Sequence, residues 1–385
     1  MGAADGLLIP ADQADLHGPA PAAHRLRQAL GLSNAPDDPA ACLRDLVRQG
    51  LDRLPMPGSG HTLARWRALA TVAEHDLSLA KLYEGHTDAL AILAELDGAS
   101  TDHAACRKQP ERLSLGEEMV WGVWASEAPG GRVSFEPATP ATRAAPAADG
   151  AVVLTGVKHW CSGARGASHA LLTVWPVEAQ QPKDAPQLAW LPIDQPGVQV
   201  IADAWKAVGM NASASLQVQL KGARAWLVGS PGQYLSRPGF WQGGAGVAAC
   251  WYGGATTLAK TLYRAVAQRP ESSRSPFLLA AAGKVAVTMR AMALTLQDAA
   301  RWVDEHPHAD ASDMALGVRL AAAAGAIHVL EEVAAALGAT PFCSDAAFAR
   351  AAADLPVFIR QSHGLRDYAA LGQQLVSKGE GLWAL

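Results

Sequence analysis

The stretch "GAVVLTGVKHWCSGARGA", Gly150–Ala167, decides how the chain is read. It leaves an Asp149–Gly150 turn signal as a β-branched run and ends in a Trp, a Ser and a glycine-rich turn. A strand of this kind needs partners, and they lie downstream. "ASHALLTVW", "PQLAWLPID", "GVQVIADAW" and "SASLQVQLKGARAWLV" are short and β-branched or alternating, with Pro196–Gly197 and Gly222 as punctuation. No helix-length periodic run interrupts them, so parallel βαβ units are not expected. An antiparallel barrel or sandwich is.

The flanks have another texture. In "DDPAACLRDLVRQG", Asp38 is placed to cap a helix, Pro39 sits at its first position and Gly50 stops it. "HTLARWRALATVAEHDLSLAKLYEGHTDALAILAELDG" continues with apolar residues at three- and four-residue spacing. Beyond the strands, four Ala-rich helical segments are expected near 242–268, 276–305, 310–337 and 345–376, broken at "QRPESSRSP", "HPHAD" and "GATPFCSD". The expectation is an α+β multidomain chain. It has a helical N-terminal domain (1–117), a central antiparallel β-barrel or sandwich domain (118–234) and a C-terminal four-helix bundle (235–385).

Bulk composition narrows the function classes. The 385 residues are half apolar and 18% charged, a globular composition with enough chain for two or three modules. A net charge of −4 with scattered Lys and Arg gives no field for phosphate backbones, so nucleic acid is not an expected partner. Five dispersed cysteines (Cys42, Cys106, Cys161, Cys250, Cys343) without a CxxC pair read as reduced thiols. The first residues lack a basic segment and an apolar core, and runs such as Ala321–Ile327 are too short for a bilayer. A cytoplasmic protein with no membrane partner is expected.

No phosphate-binding loop, HExxH, GxSxG or dinucleotide fingerprint is present. "GGAG" at 243–246 reads as helix packing, and "HPH" at 306–308 as an interhelical loop rather than a metal site. What remains is a pair of segments, "WGVWASEAPGG" (121–131) and "GVKHWCSGARGA" (156–167). Each sets a Trp two residues before a Ser: Trp124 and Ser126, Trp160 and Ser162. A flat heteroaromatic ligand needs an aromatic wall with hydroxyl and backbone donors. The same pattern also suits core and turn residues.

In order along the chain, these segments resemble the acyl-CoA dehydrogenase family. "ASEAPGG" is similar to its T-E-P-x-a-G, and "LTGVKHWCSGA" to l-x-G-x-K-x-[WF]-I-[TS]. "VGMNASAS" is similar to G-x-r-x-S-x-t, "RSPF" (274–277) to R-x-x-F, and "ALGATPF" (336–342) to the G-G-x-G turn. The resemblance implies bound FAD in a homodimer or homotetramer acting on a small molecule, of which an acyl-CoA is one candidate. Trp160 would flank the isoalloxazine, with Trp124 nearby. Ser162 would face the N5 edge and Ser126 the pyrimidine end. Arg274, Phe277 and Gly338 would serve the ADP half from a neighbouring subunit. The pattern is broken in two places: the Gln expected after R-x-x-F falls near Lys284–Val285, and Ala339 replaces the second turn Gly.

The resemblance also implies a catalytic Glu that is absent. Its usual place falls on His363 in "RQSHGLRD", and its alternative place falls near Gly243 in "WQGGAGVAAC". Glu127 belongs to the T-E-P segment and is not read as the base. His363 has three readings: an alternative base oriented by Asp367, a polar group beside the flavin for oxygen chemistry, or a structural residue at a helix end. The leading expectation is a flavin oxidoreductase moving hydride from an acyl-like substrate to N5. The alternatives are a flavin monooxygenase on a molecule that is not a CoA ester and a degenerate flavin-binding protein.

Overall fold

A computed structural model describes residues 22–31, 38–99, 119–128, 130–138, 151–178 and 185–378. The N-terminal stretch, Cys106, the 117/118 boundary, the Asp149–Gly150 turn and most of the 136–150 connection lie outside the described residues. The described cysteines Cys42, Cys161, Cys250 and Cys343 are free thiols.

Four helices come first: α1 (Ala22–Leu30), α2 (Pro39–Arg48), α3 (Thr62–His75) and α4 (Leu77–Ala99). Asp38 caps α2 by accepting from the amides of Ala40 and Ala41. The long periodic run at 61–98 is two helices, not one. Asp76 adopts an extended conformation, and its carboxylate accepts the Leu79 amide to start α4.

Seven strands follow: β1 (Trp121–Trp124), β2 (Val133–Pro137), β3 (Ala151–Cys161), β4 (His169–Pro176), β5 (Gln187–Pro192), β6 (Val198–Ile201) and β7 (Leu216–Val228). The path runs β1-β4-β2-β3-β7-β5, with β6 on β7, and a further β4–β5 pairing closes β4, β2, β3, β7 and β5 into a ring with β1 outside it. The sheet is mixed, which corrects the all-antiparallel expectation. β4 runs parallel to both β1 and β2. Sequence texture missed this because β4 makes its parallel pairings to short preceding strands without a crossover helix.

The C-terminal part contains α5 (Gln233–Ser236), α6 (Pro238–Ala267), α7 (Pro276–Glu305), α8 (Ser312–Leu337), α9 (Thr340–Ser344), α10 (Ala346–Phe358) and α11 (Leu365–Lys378). The fourth expected helix is therefore broken, by a 3-10 turn at Ile359–Gln361 and by Gly364 at φ +57°. His363 lies in that break. Nor is the bundle separate from the N-terminal helices, since α6 packs on α3 as well as on α7 and α8. Gly253 permits this approach: a Cβ there would stand 2.3 Å from the Ala70 carbonyl oxygen. One apolar core runs through both regions, from Leu43, Trp66 and Tyr83 to Trp251, Val329 and Phe348. By length and composition alone α7 and α8 are each long and apolar enough to cross a membrane.

The helices meet the sheet through Ile92 and Leu96 of α4 against Trp121, Leu171 and Trp190. Beside that contact His86 of α4 is fully buried. Its Nδ1 accepts the Trp121 amide at 3.1 Å, so its Nε2 carries the proton and donates to Asp52 at 3.1 Å. Replacing His86 by Phe strands both partners in the interior. We expect a loss of about 2–4 kcal/mol, measured by urea denaturation, and a weakened junction between helices and sheet.

Candidate functional site

The end of β3 brings most of the expected ligand residues together. Its register against β7 slips between Lys158 and Cys161, and Trp160 takes a left-handed φ of +57°. The indole is thereby turned outward and is 53% exposed, unusual for Trp. Gly163, at φ +72°, completes the corner, and a Cβ there would lie 2.9 Å from Leu82 of α4. Ser162 sits half-buried between these two residues. Trp124 is only 2% exposed, and its indole N–H donates to the Ser162 carbonyl at 3.1 Å. It holds the corner in place and is core rather than wall. Ser126, in the loop after β1, is exposed.

Beneath the corner lies Lys158, which sequence reasoning did not single out. It is fully buried and donates to the Thr173 hydroxyl at 2.6 Å, with Glu127 3.7 Å away. Burial lowers its pKa, and Glu127 opposes the shift. Glu127 also accepts from Thr173 and from the Trp175 indole at 2.7 Å. These ties fasten the loop carrying Ser126 to β4 and fit the reading of Glu127 as structural. The signal was available: Val152, Leu154 and Lys158 share one face of β3, and the first two are core residues.

The serine corner is wired further. Ser162 Oγ contacts Ser215 Oγ at 2.8 Å, Ser215 contacts Ser213 at 2.9 Å, and Ser213 donates to the Met210 carbonyl at 2.7 Å. Met210 has φ +59°, and its amide donates to Asp354 of α10 at 2.5 Å. "VGMNASAS" thus links a bundle helix to Ser162.

Arg274, Phe277 and Gly338 lie elsewhere. Arg274 donates from Nε to the Arg269 carbonyl at 3.1 Å, and Phe277 is 88% exposed at the start of α7. Gly338 ends α8 at φ +64°. Within one chain these three residues do not join the β3 corner.

His363 is 69% exposed on its side chain, with Nδ1 3.5 Å from Asp367 Oδ1. The expected pair exists, but not by sharing a helical face. Asp367 stands in the first turn of α11 and accepts the Ser362 hydroxyl and the His363 amide, each at 2.9 Å. It is a buried capping carboxylate. Position 243 is more informative. A Cβ on Gly243 would stand 2.8 Å from Oδ1 of Asp88 on α4. That oxygen is buried with no hydrogen-bond partner among the described residues, and burial pushes the Asp88 pKa upward. Arg319, also missed from sequence, bridges the two regions. It donates to the carbonyls of Gly244 and Gln361, each at 2.8 Å, and lies over Trp251. Its signal was a single cation within the apolar run of α8.

Between α2, α4, β1 and the corner lies a narrow, open cleft, lined by Leu43, Lys81, Leu82, Trp121, Val123 and Ser162 among others. Lys81 there is neutralised by Glu84 at 2.8 Å. An exposed indole beside a half-exposed hydroxyl, next to a mainly apolar cleft, fits a flat aromatic cofactor with a small ligand. Among the described residues no cluster of three or more His, Cys, Asp or Glu side chains is placed to hold a metal.

Neither a protein-family profile nor a curated protein sequence matches the chain. Its fold, however, is that of the acyl-CoA dehydrogenase-like flavoproteins. A dibenzothiophene monooxygenase from Paenibacillus sp. A11-2 superposes at TM-score 0.74 with 20% identity, covering 93% of this chain and 97% of that one. That monooxygenase has also been crystallised with FMN and indole. A nitrososynthase from Micromonospora carbonacea var. africana gives 0.75 at 18%, covering 96% and 99%. Glutaryl-CoA dehydrogenase from Mycobacterium smegmatis gives 0.72 at 15%, covering 93% and 94%.

Asp354 offers a stability test of the link to Ser162. Burial, reinforced by Asp76, raises its pKa to about 6, against the Met210 amide and Arg350. In the unfolded chain an Asp titrates near 3.9. The folded state therefore holds the proton more tightly, and stability falls as pH rises from about 4 to about 6. Asp354→Asn keeps an acceptor for Met210 and should flatten that slope in chemical denaturation followed against pH.

Proposed function

We propose that the protein is a flavin-dependent monooxygenase that uses reduced flavin on a small, largely apolar molecule rather than on a CoA thioester. The observation that carries this reading is the state of the two positions where the resemblance implies a catalytic carboxylate. One holds His363, well exposed to water, with its partner Asp367 engaged in capping α11. The other is Gly243. Removing the α-proton of a thioester needs a base held beside the substrate in a site closed to water, and an exposed imidazole lacks that environment.

When bound, reduced flavin supplies the electrons that activate dioxygen. The chain's own residues bind and orient. Trp160 would wall the ring, Ser162 would lie at its edge, and Leu43, Leu82, Trp121 and Val123 would exclude water from the substrate. FMN fits the chain better than FAD. Arg274 is held by the Arg269 carbonyl, Lys284 near the expected Gln pairs with Glu332 at 2.9 Å, and Ala339 interrupts the glycine turn. If FAD is the bound form, its ADP half would rest on Arg274, Phe277 and Gly338 of a second subunit. We read the assembly as a cytoplasmic homo-oligomer, with Phe277, Leu279, Val287 and Leu294 of α7 as exposed apolar residues that a second copy would cover.

Asp88 favours a second reading, acyl dehydrogenation with the base supplied from α4 rather than from position 243. One experiment separates the two. Purified protein is mixed anaerobically with FMN or FAD and titrated with an acyl-CoA panel, then separately given reduced FMN, oxygen and small aromatic heterocycles. Oxygenated product without bleaching of the flavin band by any acyl-CoA supports monooxygenation. Bleaching by an acyl-CoA that is lost in Asp88→Asn supports dehydrogenation.

A further inference from the structure

The serine chain at the β3 corner has a direction, and that direction bears on which form of flavin the site takes. A serine hydroxyl has one proton to give and two lone pairs to receive with. The Met210 carbonyl can only accept, so Ser213 is the donor in their 2.7 Å contact. Its proton is then committed, and Ser215 must donate in the 2.9 Å contact with Ser213. By the same count Ser162 must donate in its 2.8 Å contact with Ser215. The Ser162 oxygen is left with lone pairs, not a proton, for anything beside Trp160.

The end of the chain is fixed independently. Met210 is held in a left-handed conformation, with its amide on Asp354 and its carbonyl also receiving the Trp205 indole N–H at 3.1 Å. The Ser213 carbonyl receives the Gly163 amide at 2.9 Å, which ties the relay back to the corner. Reversing the relay would take the Ser213 proton away from the Met210 carbonyl.

We propose that the relay Ser162→Ser215→Ser213→Met210 makes Ser162 an acceptor toward bound flavin, so that the site selects reduced over oxidised flavin. Reduced flavin carries a hydrogen on N5 and can donate, whereas oxidised flavin presents a bare nitrogen that only accepts. Two acceptors facing each other repel, and a donor facing an acceptor forms a hydrogen bond. Ser215 and Ser213 are positioning residues that act through Ser162. This rests on the flavin reading above and adds a redox preference to it.

The test is anaerobic binding of oxidised FMN and of dithionite-reduced FMN to the full chain, by ultrafiltration. Wild type should bind the reduced form about tenfold tighter or more, which raises the two-electron potential of bound FMN by about 30 mV per tenfold. Ser215→Ala releases the Ser162 proton, and the ratio should fall about tenfold, the worth of one hydrogen bond. Ser215→Thr should restore it. Ser162→Ala, at a half-exposed position, provides a second variant and should weaken reduced FMN while leaving oxidised FMN bound as tightly or more tightly. A preference for oxidised FMN in wild type, or a ratio unchanged in both Ala variants, overturns the relay while the flavin reading stands. Failure of wild type to bind either form overturns both.

Discussion

The site depends on the left-handed corner at the end of β3. Trp160 at φ +57° and Gly163 at φ +72° turn the chain sharply enough that one indole leaves the sheet while the serine two residues later stays half-buried. A non-glycine residue in that region costs energy, and surrounding contacts must over-determine it. Here they are the Trp124 indole on the Ser162 carbonyl, the Gly163 amide on Ser213, and Leu82 packed where a Cβ would stand. The strain and the exposed aromatic occur together, as expected where a backbone is shaped for a ligand.

Around that corner the structure distributes charge sparingly. Lys158 is buried but answered by Thr173 and Glu127, Lys81 by Glu84, and Arg319 by two backbone carbonyls. Charges treated this way fix geometry and leave the cleft walls mostly apolar. Asp88 departs from this pattern, its Oδ1 being buried without a hydrogen-bond partner among the described residues and next to the space Gly243 leaves open. Its raised pKa makes it a group able to hold a proton at a pH where ordinary carboxylates do not.

Local patterns in the chain were read well where a single element decides them. The Asp38 cap, the strand run before Trp160 and the breaks after 267 and 305 follow from turn chemistry and periodicity. Readings failed where distant segments decide. One exception is local: Asp76 divides the periodic run at 61–98 by capping α4 through the Leu79 amide, which apolar periodicity alone does not show, while Arg350 of α10 meets the same carboxylate from a distant segment. The parallel pairing of β4 is likewise invisible in alternation, which reports burial but not strand direction. His363 and Asp367 were paired for a helical reason and are paired instead by a helix cap, because Gly364 ends the continuity between α10 and α11.

By itself the sequence determined the three-part order of helices, strands and helices, the Trp and Ser types at the β3 corner, and the absence of an acidic residue at 363 and 243. Those are properties of composition and local spacing. Tertiary structure alone decided that Trp124 is core, that Asp88 reaches toward position 243 from another helix, and that Ser162 is wired through Ser215 and Ser213 to Asp354. The first two are contacts between residues 38 and 155 positions apart, and the third joins contacts 53 and 144 positions apart through short local steps. The direction of a proton or the burial of a carboxylate is set by which groups the fold brings within about 3 Å, and spacing along one chain does not encode that.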